Sequence, residues 1–170
     1  MTVSGWQRTW VRILTTVLTI AMLLIIFFFS MENAENSDRR SGVFANIMIC
    51  LFRPEYPHLS PEEQQKIYDD ISLIVRKCAH FAEYTLLGLI LRFCLESWFG
   101  QRFRSVYPLS LISFAGSVIY AGTDELHQLM IDGRSGQFTD VLVDSCGALT
   151  GIILGTLLIS RSGARKRDGG

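Results

Sequence analysis

Three long apolar stretches of this chain each carry ionisable residues. In a chain threaded back and forth through a layer, every one of those clusters falls at the same end. His80 and Glu83 open one stretch, Asp124, Glu125 and Gln128 close the next, and Asp140 and Asp144 open the last. A charged side chain inside a bilayer is expensive, so it persists where it has a partner and a task. The pattern points to one polar site, built from several helices, near one face of a membrane.

A further apolar run precedes these three. Residues 11–29 are Ile, Leu, Val, Met and Phe, interrupted by little but threonine. About 20 residues rising 1.5 Å each cross a hydrocarbon layer of roughly 30 Å, so the run is long enough to span. Arg8 and Arg12 precede it as in a signal peptide, but Ser30-Met31-Glu32-Asn33-Ala34-Glu35 lacks a small-x-small cleavage pattern, and the run reads as an uncleaved helix. The other spans are expected at about 78–95, 109–131 and 141–159. With 49% hydrophobic residues and a mean hydropathy of +0.29, the composition agrees. The formal net charge is zero, and no basic stripe suits nucleic acid. Cys50, Cys78, Cys94 and Cys146 show neither CxxC pairs nor zinc spacing, and most read as small hydrophobes, with a Cys50–Cys78 bridge left open.

Residues 31–76 differ in kind. A polar exit containing Glu32, Glu35, Asp38, Arg39 and Arg40 leads to an apolar run at 43–52, too short to span and read as a re-entrant or interfacial segment or a packed cap. Arg53-Pro54-Glu55-Tyr56-Pro57 breaks any helix. Ser60-Pro61-Glu62-Glu63 then predicts a helix start, with Ser60 as N-cap. Ile67, Ile71, Ile74 and Val75 recur behind it at helical spacing, as in an amphipathic surface helix or a helical cap outside the membrane. The expected fold is therefore all-α: a polytopic four-helix transmembrane bundle with an outer amphipathic helix and a short re-entrant or interfacial segment. Lys and Arg in the short flanks (Arg8, Arg12, Arg102, Arg104, and Arg161 to Arg167) put both termini and the basic tail, 161–170, on the cytoplasmic side.

The chemistry then falls to named residues. Arg76, His80, Glu83 and Tyr84 share a helical face, so Glu83 is placed to orient the His80 imidazole. Asp124 and Gln128 are one turn apart, as are Asp140 and Asp144, and Glu125 shares part of the Asp124 face. Several buried acids with one histidine need a compensating cation, for which Arg134, Arg76 and Lys77 are the candidates. Gly147, Gly151 and Gly155 form a doubled GxxxG, read as helix packing within the chain before a dimer seam.

These residues also form a recognisable set. Arg76-Lys77-x-x-His80-Phe81-x-Glu83-Tyr84-x-x-x-Gly88, then Asp124-Glu125-x-x-Gln128, Gly133-Arg134 and Asp140-x-x-x-Asp144-x-x-Gly147 resemble the VanZ-like family of bacterial membrane proteins. That family often carries Asn where this chain has Asp144. The resemblance implies a single VanZ-like membrane domain over residues 1–160, in the cytoplasmic membrane of a bacterial envelope. The family's namesake lowers sensitivity to the glycopeptide teicoplanin.

The functional expectation is an outward-facing polar site for a head group. Its partner would be a membrane lipid, a lipid-linked wall precursor or a glycopeptide. Arg76, Lys77, Tyr84, Gln128, Arg134, Asp140 and Asp144 would bind it. The alternative is an intramembrane hydrolase or transferase with His80 as base, oriented by Glu83, and Asp124 or Glu125 as acid partner. No cofactor is expected; under the enzymatic alternative a divalent metal would sit on His80, Glu83, Glu125 and Asp140. The chain would be a monomer or homodimer.

Overall fold

The computed structural model describes residues 5–32, 34–131 and 137–167, and every regular element among them is helical. Five α-helices follow one another: α1 (Gly5–Ser30), α2 (Ala34–Phe52), α3 (Pro61–Phe99), α4 (Tyr107–Gln128) and α5 (Phe138–Arg167). Short 3₁₀ turns at Tyr56–His58 and Gly100–Arg102 lie in the links. α1, α3 and α5 are long and apolar enough to cross a membrane. α4 is not among them, because Ser110, Ser113, Ser117, Gly116 and Gly122 dilute its apolar residues.

Two expected boundaries are corrected. The polar exit after α1 and the apolar run at 43–52 are one helix, α2, since nothing between Ala34 and Phe52 breaks a helix outright. Gly42 sits inside it where the Tyr68 hydroxyl of α3 comes too close to leave room for a Cβ. The expected surface helix and second span are likewise one continuous rod. Ser60 starts it with a reciprocal capping box, its hydroxyl accepting from the Glu63 amide while the Glu63 carboxylate accepts from the Ser60 amide at 3.0 Å. No breaker intervenes before Phe99, so α3 is about 58 Å long, nearly twice a hydrocarbon layer. Its first half pairs with α2 through Ser41–Ser72 at 3.2 Å and Arg76–Asp38 at 3.0 Å. The basic tail also continues α5 as helix to Arg167. Cys50 and Cys78 are free thiols, not bridged.

The bundle is built around α3 and α5, which run parallel and share the largest interface. Gly147 faces the Phe81 carbonyl and Gly151 the Thr85 carbonyl, and a Cβ at either would collide with backbone. The glycine stripe is therefore used inside the chain, where it brings two backbones together. α1 and α4 run antiparallel to that pair. At the far end Arg12 donates to the Ser97 carbonyl at 2.9 Å and Trp98 donates to Thr16 at 3.0 Å, holding α1 to α3. The core gathers Met22, Ile26, Tyr84, Leu87, Ala121 and Ala148.

Outward faces are apolar. Val17, Ile20, Leu24, Leu111, Ile119, Leu154 and Leu157 are exposed, while Arg92, Ser113, Ser117, Asp124 and Asp144 are buried. A protein with oil outside and charge inside suits lipid as its solvent.

Candidate functional site

At one end of the bundle four helices deliver polar side chains to one place. α1 contributes Ser30 from its last residue, and α3 contributes His80 and Glu83 from the point where it enters the bundle. α4 contributes Asp124 and Gln128 from its last turns, and α5 contributes Asp144 from its second turn. Alternating helix direction makes these ends coincide, so residues far apart in sequence lie at one depth.

Asp144 is the most enclosed of them, 1% exposed. Its Oδ1 lies 3.6 Å from Nδ1 of His80, an ion-pair distance beyond that of a hydrogen bond. Both Asp144 oxygens and that His80 nitrogen are buried without a hydrogen-bond partner among the described residues. Asp124 is better held: its carboxylate accepts from Gln128 Nε2 at 3.1 Å. Ligand atoms of His80, Asp124 and Asp144 all lie within 4.8 Å of one another.

Beside this trio lies a cavity of about 160 Å³ between α1, α2 and α3. Ser30, His80, Glu83 and Asp124 form its polar floor; Ile26, Phe29, Phe44 and Val75 form an apolar wall; Arg40 and Arg76 stand at its side. Arg40 lies over the Phe29 ring at 4.2 Å and pairs with Glu32 at 2.8 Å, while Arg76 pairs with Asp38. These ion pairs are partly exposed.

The comparison with protein families fits this arrangement. The VanZ/LLP1 family model matches residues 15–159, most of the chain and every residue of the site. The chain belongs to the VanZ/LLP1 family. No curated protein and no solved structure matches it.

Within this VanZ/LLP1 protein the sequence-derived residues separate into three groups. His80, Asp124, Gln128 and Asp144 meet, and Glu83 lines the cavity beside them. The ion-pair partner of the imidazole is Asp144 of α5, where Glu83 was expected. A second group lies close by but is otherwise engaged. Asp140 is paired with Lys77, Glu125 accepts from the Gln137 amide at 2.5 Å, and Tyr84 is buried in the core with its ring 6.4 Å from Tyr120. Among the described residues the group whose ligand atoms converge is His80, Asp124 and Asp144, whereas of the expected set His80, Glu83, Glu125 and Asp140 the last is paired with Lys77 and Glu125 keeps one buried oxygen without a partner. Third, Arg134 lies outside the described residues. His127 stacks on Phe27 and lies 3.4 Å from the Ser30 hydroxyl.

Sequence reasoning misses three residues. Ser30 follows three phenylalanines and looks like the end of a span, and Arg40 looks like part of a solvated charge run. Only the return of α1 and α2 to α3 makes either a site residue. The third, Arg92, is fully buried at the opposite end of the bundle. It donates to Ser110 and Thr156, each at 3.2 Å, and to Glu96 at 2.9 Å.

Proposed function

We propose that this protein is an integral membrane protein of the bacterial envelope whose cavity holds the anionic head group of a lipid or lipid-linked wall precursor. α4 would serve as a fourth span beside α1, α3 and α5, with both termini cytoplasmic and the cavity facing outward. Arg8, Arg12, Arg102, Arg104 and the basic tail then share the cytoplasmic side.

The observation that carries this reading is the make-up of the cavity: apolar on one side, two guanidinium groups on another, and an imidazole with carboxylates at the floor. An amphiphile needs all of these. Its chain would lie against Phe29 and Phe44, its phosphate would engage Arg40 and Arg76, and its hydroxyl or amine groups would reach the acids. The present partners of both arginines are partly exposed carboxylates. Such pairs are worth only about 0–1 kcal/mol, so a phosphate can take their place. Capture of a wall precursor is also compatible with the lowered teicoplanin sensitivity associated with the family's namesake.

Native mass spectrometry of the protein extracted with its own lipids tests the proposal. An anionic lipid should be retained by the native chain. It should be lost by at least about tenfold from an Arg40→Gln/Arg76→Gln double variant, given roughly 1.5–3 kcal/mol for each charged hydrogen bond. Equal retention would remove the basis for the head-group site.

A second reading, an intramembrane hydrolase or transferase, is favoured by the His80–Asp144 contact at the cavity floor. An imidazole facing a carboxylate can draw a proton from water for attack on a bound head group. Steady release of a cleaved head group, in place of retention, would identify that activity.

A further inference from the structure

We propose that His80, Asp124 and Asp144 form a binding site for a divalent transition-metal ion of the zinc class. The site stands on its own geometry and does not require the head-group reading.

The first observation is the convergence itself. Three side chains from three different helices each offer one ligand atom within 4.8 Å of the others. They are not neighbours on one helix face, where such proximity would follow from spacing alone. The second observation is the state of Asp144. At 1% exposure its carboxylate is closed off from solvent, and both oxygens are unpartnered among the described residues. The facing His80 Nδ1 is also unpartnered and lies 3.6 Å away, too far for a hydrogen bond but suitable for two ligands sharing one ion. A buried carboxylate left in this condition is among the costliest groups a helix bundle can carry.

Charge points the same way. In the ligating form two carboxylates and a neutral imidazole together carry minus two, which a divalent cation would neutralise. Among the described basic residues near the trio, Lys77 is paired with Asp140, Arg76 with Asp38 and Arg40 with Glu32, while Arg134 lies outside the described residues. Asp124 is oriented by Gln128, the kind of outer-shell support that fixes a metal-binding carboxylate.

The donor set selects the class of ion. One imidazole nitrogen with two carboxylates suits zinc, manganese or iron(II) better than calcium or magnesium, which favour all-oxygen shells. Three protein ligands leave a position open, the arrangement of reactive rather than purely structural zinc sites. His80 and Asp124 both line the cavity, so the ion has a route of access and its open position faces whatever the cavity holds. A phosphate oxygen is a natural fourth ligand there.

The test uses the full chain, tag removed, in detergent, stripped with chelator and titrated with Zn²⁺ against a chromophoric competitor, and with Co²⁺ by absorption spectroscopy. One equivalent should bind per chain. Asp144→Asn and His80→Gln should each weaken binding at least tenfold, while Glu62→Gln, in the first turn of α3 far from the trio, should leave it unchanged. His80→Cys, made in a chain whose Cys50, Cys78, Cys94 and Cys146 are replaced by Ala or Ser, should add a thiolate-to-cobalt charge-transfer band in the near ultraviolet that the same cysteine-free chain with His80 lacks. Failure of the folded native chain to bind either ion, or equal binding by the ligand variants, overturns the site. Arg40→Gln/Arg76→Gln should retain the ion while losing lipid, so failure of the metal site and failure of the head-group reading give different results.

Discussion

Arg92 and Asp144 are both withdrawn from solvent in a bundle whose outer surface is apolar, yet their surroundings are opposite. Arg92 reaches Ser110 of α4, Thr156 of α5 and Glu96 on its own helix, and Ser110 and Thr156 also contact each other at 2.9 Å. Of its three nitrogens only Nη2 lacks a partner among the described residues. Asp144 lacks one at either oxygen. One end of the bundle thus uses a charge as a clamp joining three helices and nearly saturates it. The other end leaves a charge open beside a cavity. The difference separates burial that holds a structure from burial that waits for a ligand.

The largest effect should come from breaking the clamp. Arg92→Ala leaves Glu96 without its partner and opens space among three helices, so a loss of about 3–5 kcal/mol is expected. Thermal unfolding in detergent would report it as a large fall in midpoint. Arg92→Met with Glu96→Gln removes both charges while keeping volume, and should recover most of the loss. A single variant as stable as the native chain would erase the contrast, because Arg92 would then hold nothing together.

Asp144→Asn should act in the opposite sense. The amide keeps the shape and removes the charge, so stability should stay within about 1 kcal/mol of native or rise. Cation binding should nonetheless be lost. A fall of about 3 kcal/mol or more would move Asp144 into the same class as Arg92, and the site would become a second clamp.

This contrast also marks what can be read from the chain before folding. The apolar runs of α1, α3 and α5, the Ser60 cap and the common depth of His80, Asp124 and Asp144 are local or periodic signals, and each is visible in the sequence. Helix ends without breakers are not, which is why sequence reasoning divides α2 and the continuous α3 too early. Partner choice is not local either. Glu83 is one turn from His80 and looks like its carboxylate, but the imidazole meets Asp144, some sixty residues away, because glycines bring α5 onto α3. Arg92 lies in Leu91-Arg92-Phe93-Cys94 with nothing nearby to suggest that a serine and a threonine on other helices will enclose it.

The smallest effect belongs to the rim between these extremes. Lys77 and Asp140 form an ion pair at the edge of the site, with side chains 31% and 27% exposed. Water and salt screen such a pair, and fixing a lysine side chain has an entropy cost, so Lys77→Met should change stability by only about 0–1 kcal/mol. The lysine's charge does reach Asp144, and it opposes any cation arriving there. Its removal should therefore leave the unfolding midpoint nearly fixed while strengthening Zn²⁺ binding by a few-fold, more at low salt than at high. That combination distinguishes a rim charge from both buried ones: Arg92 would move stability alone, and Asp144 would abolish binding. Weaker binding in Lys77→Met would mean instead that Lys77 holds Asp140 away from the site, and that the carboxylate released is a competitor for the ion.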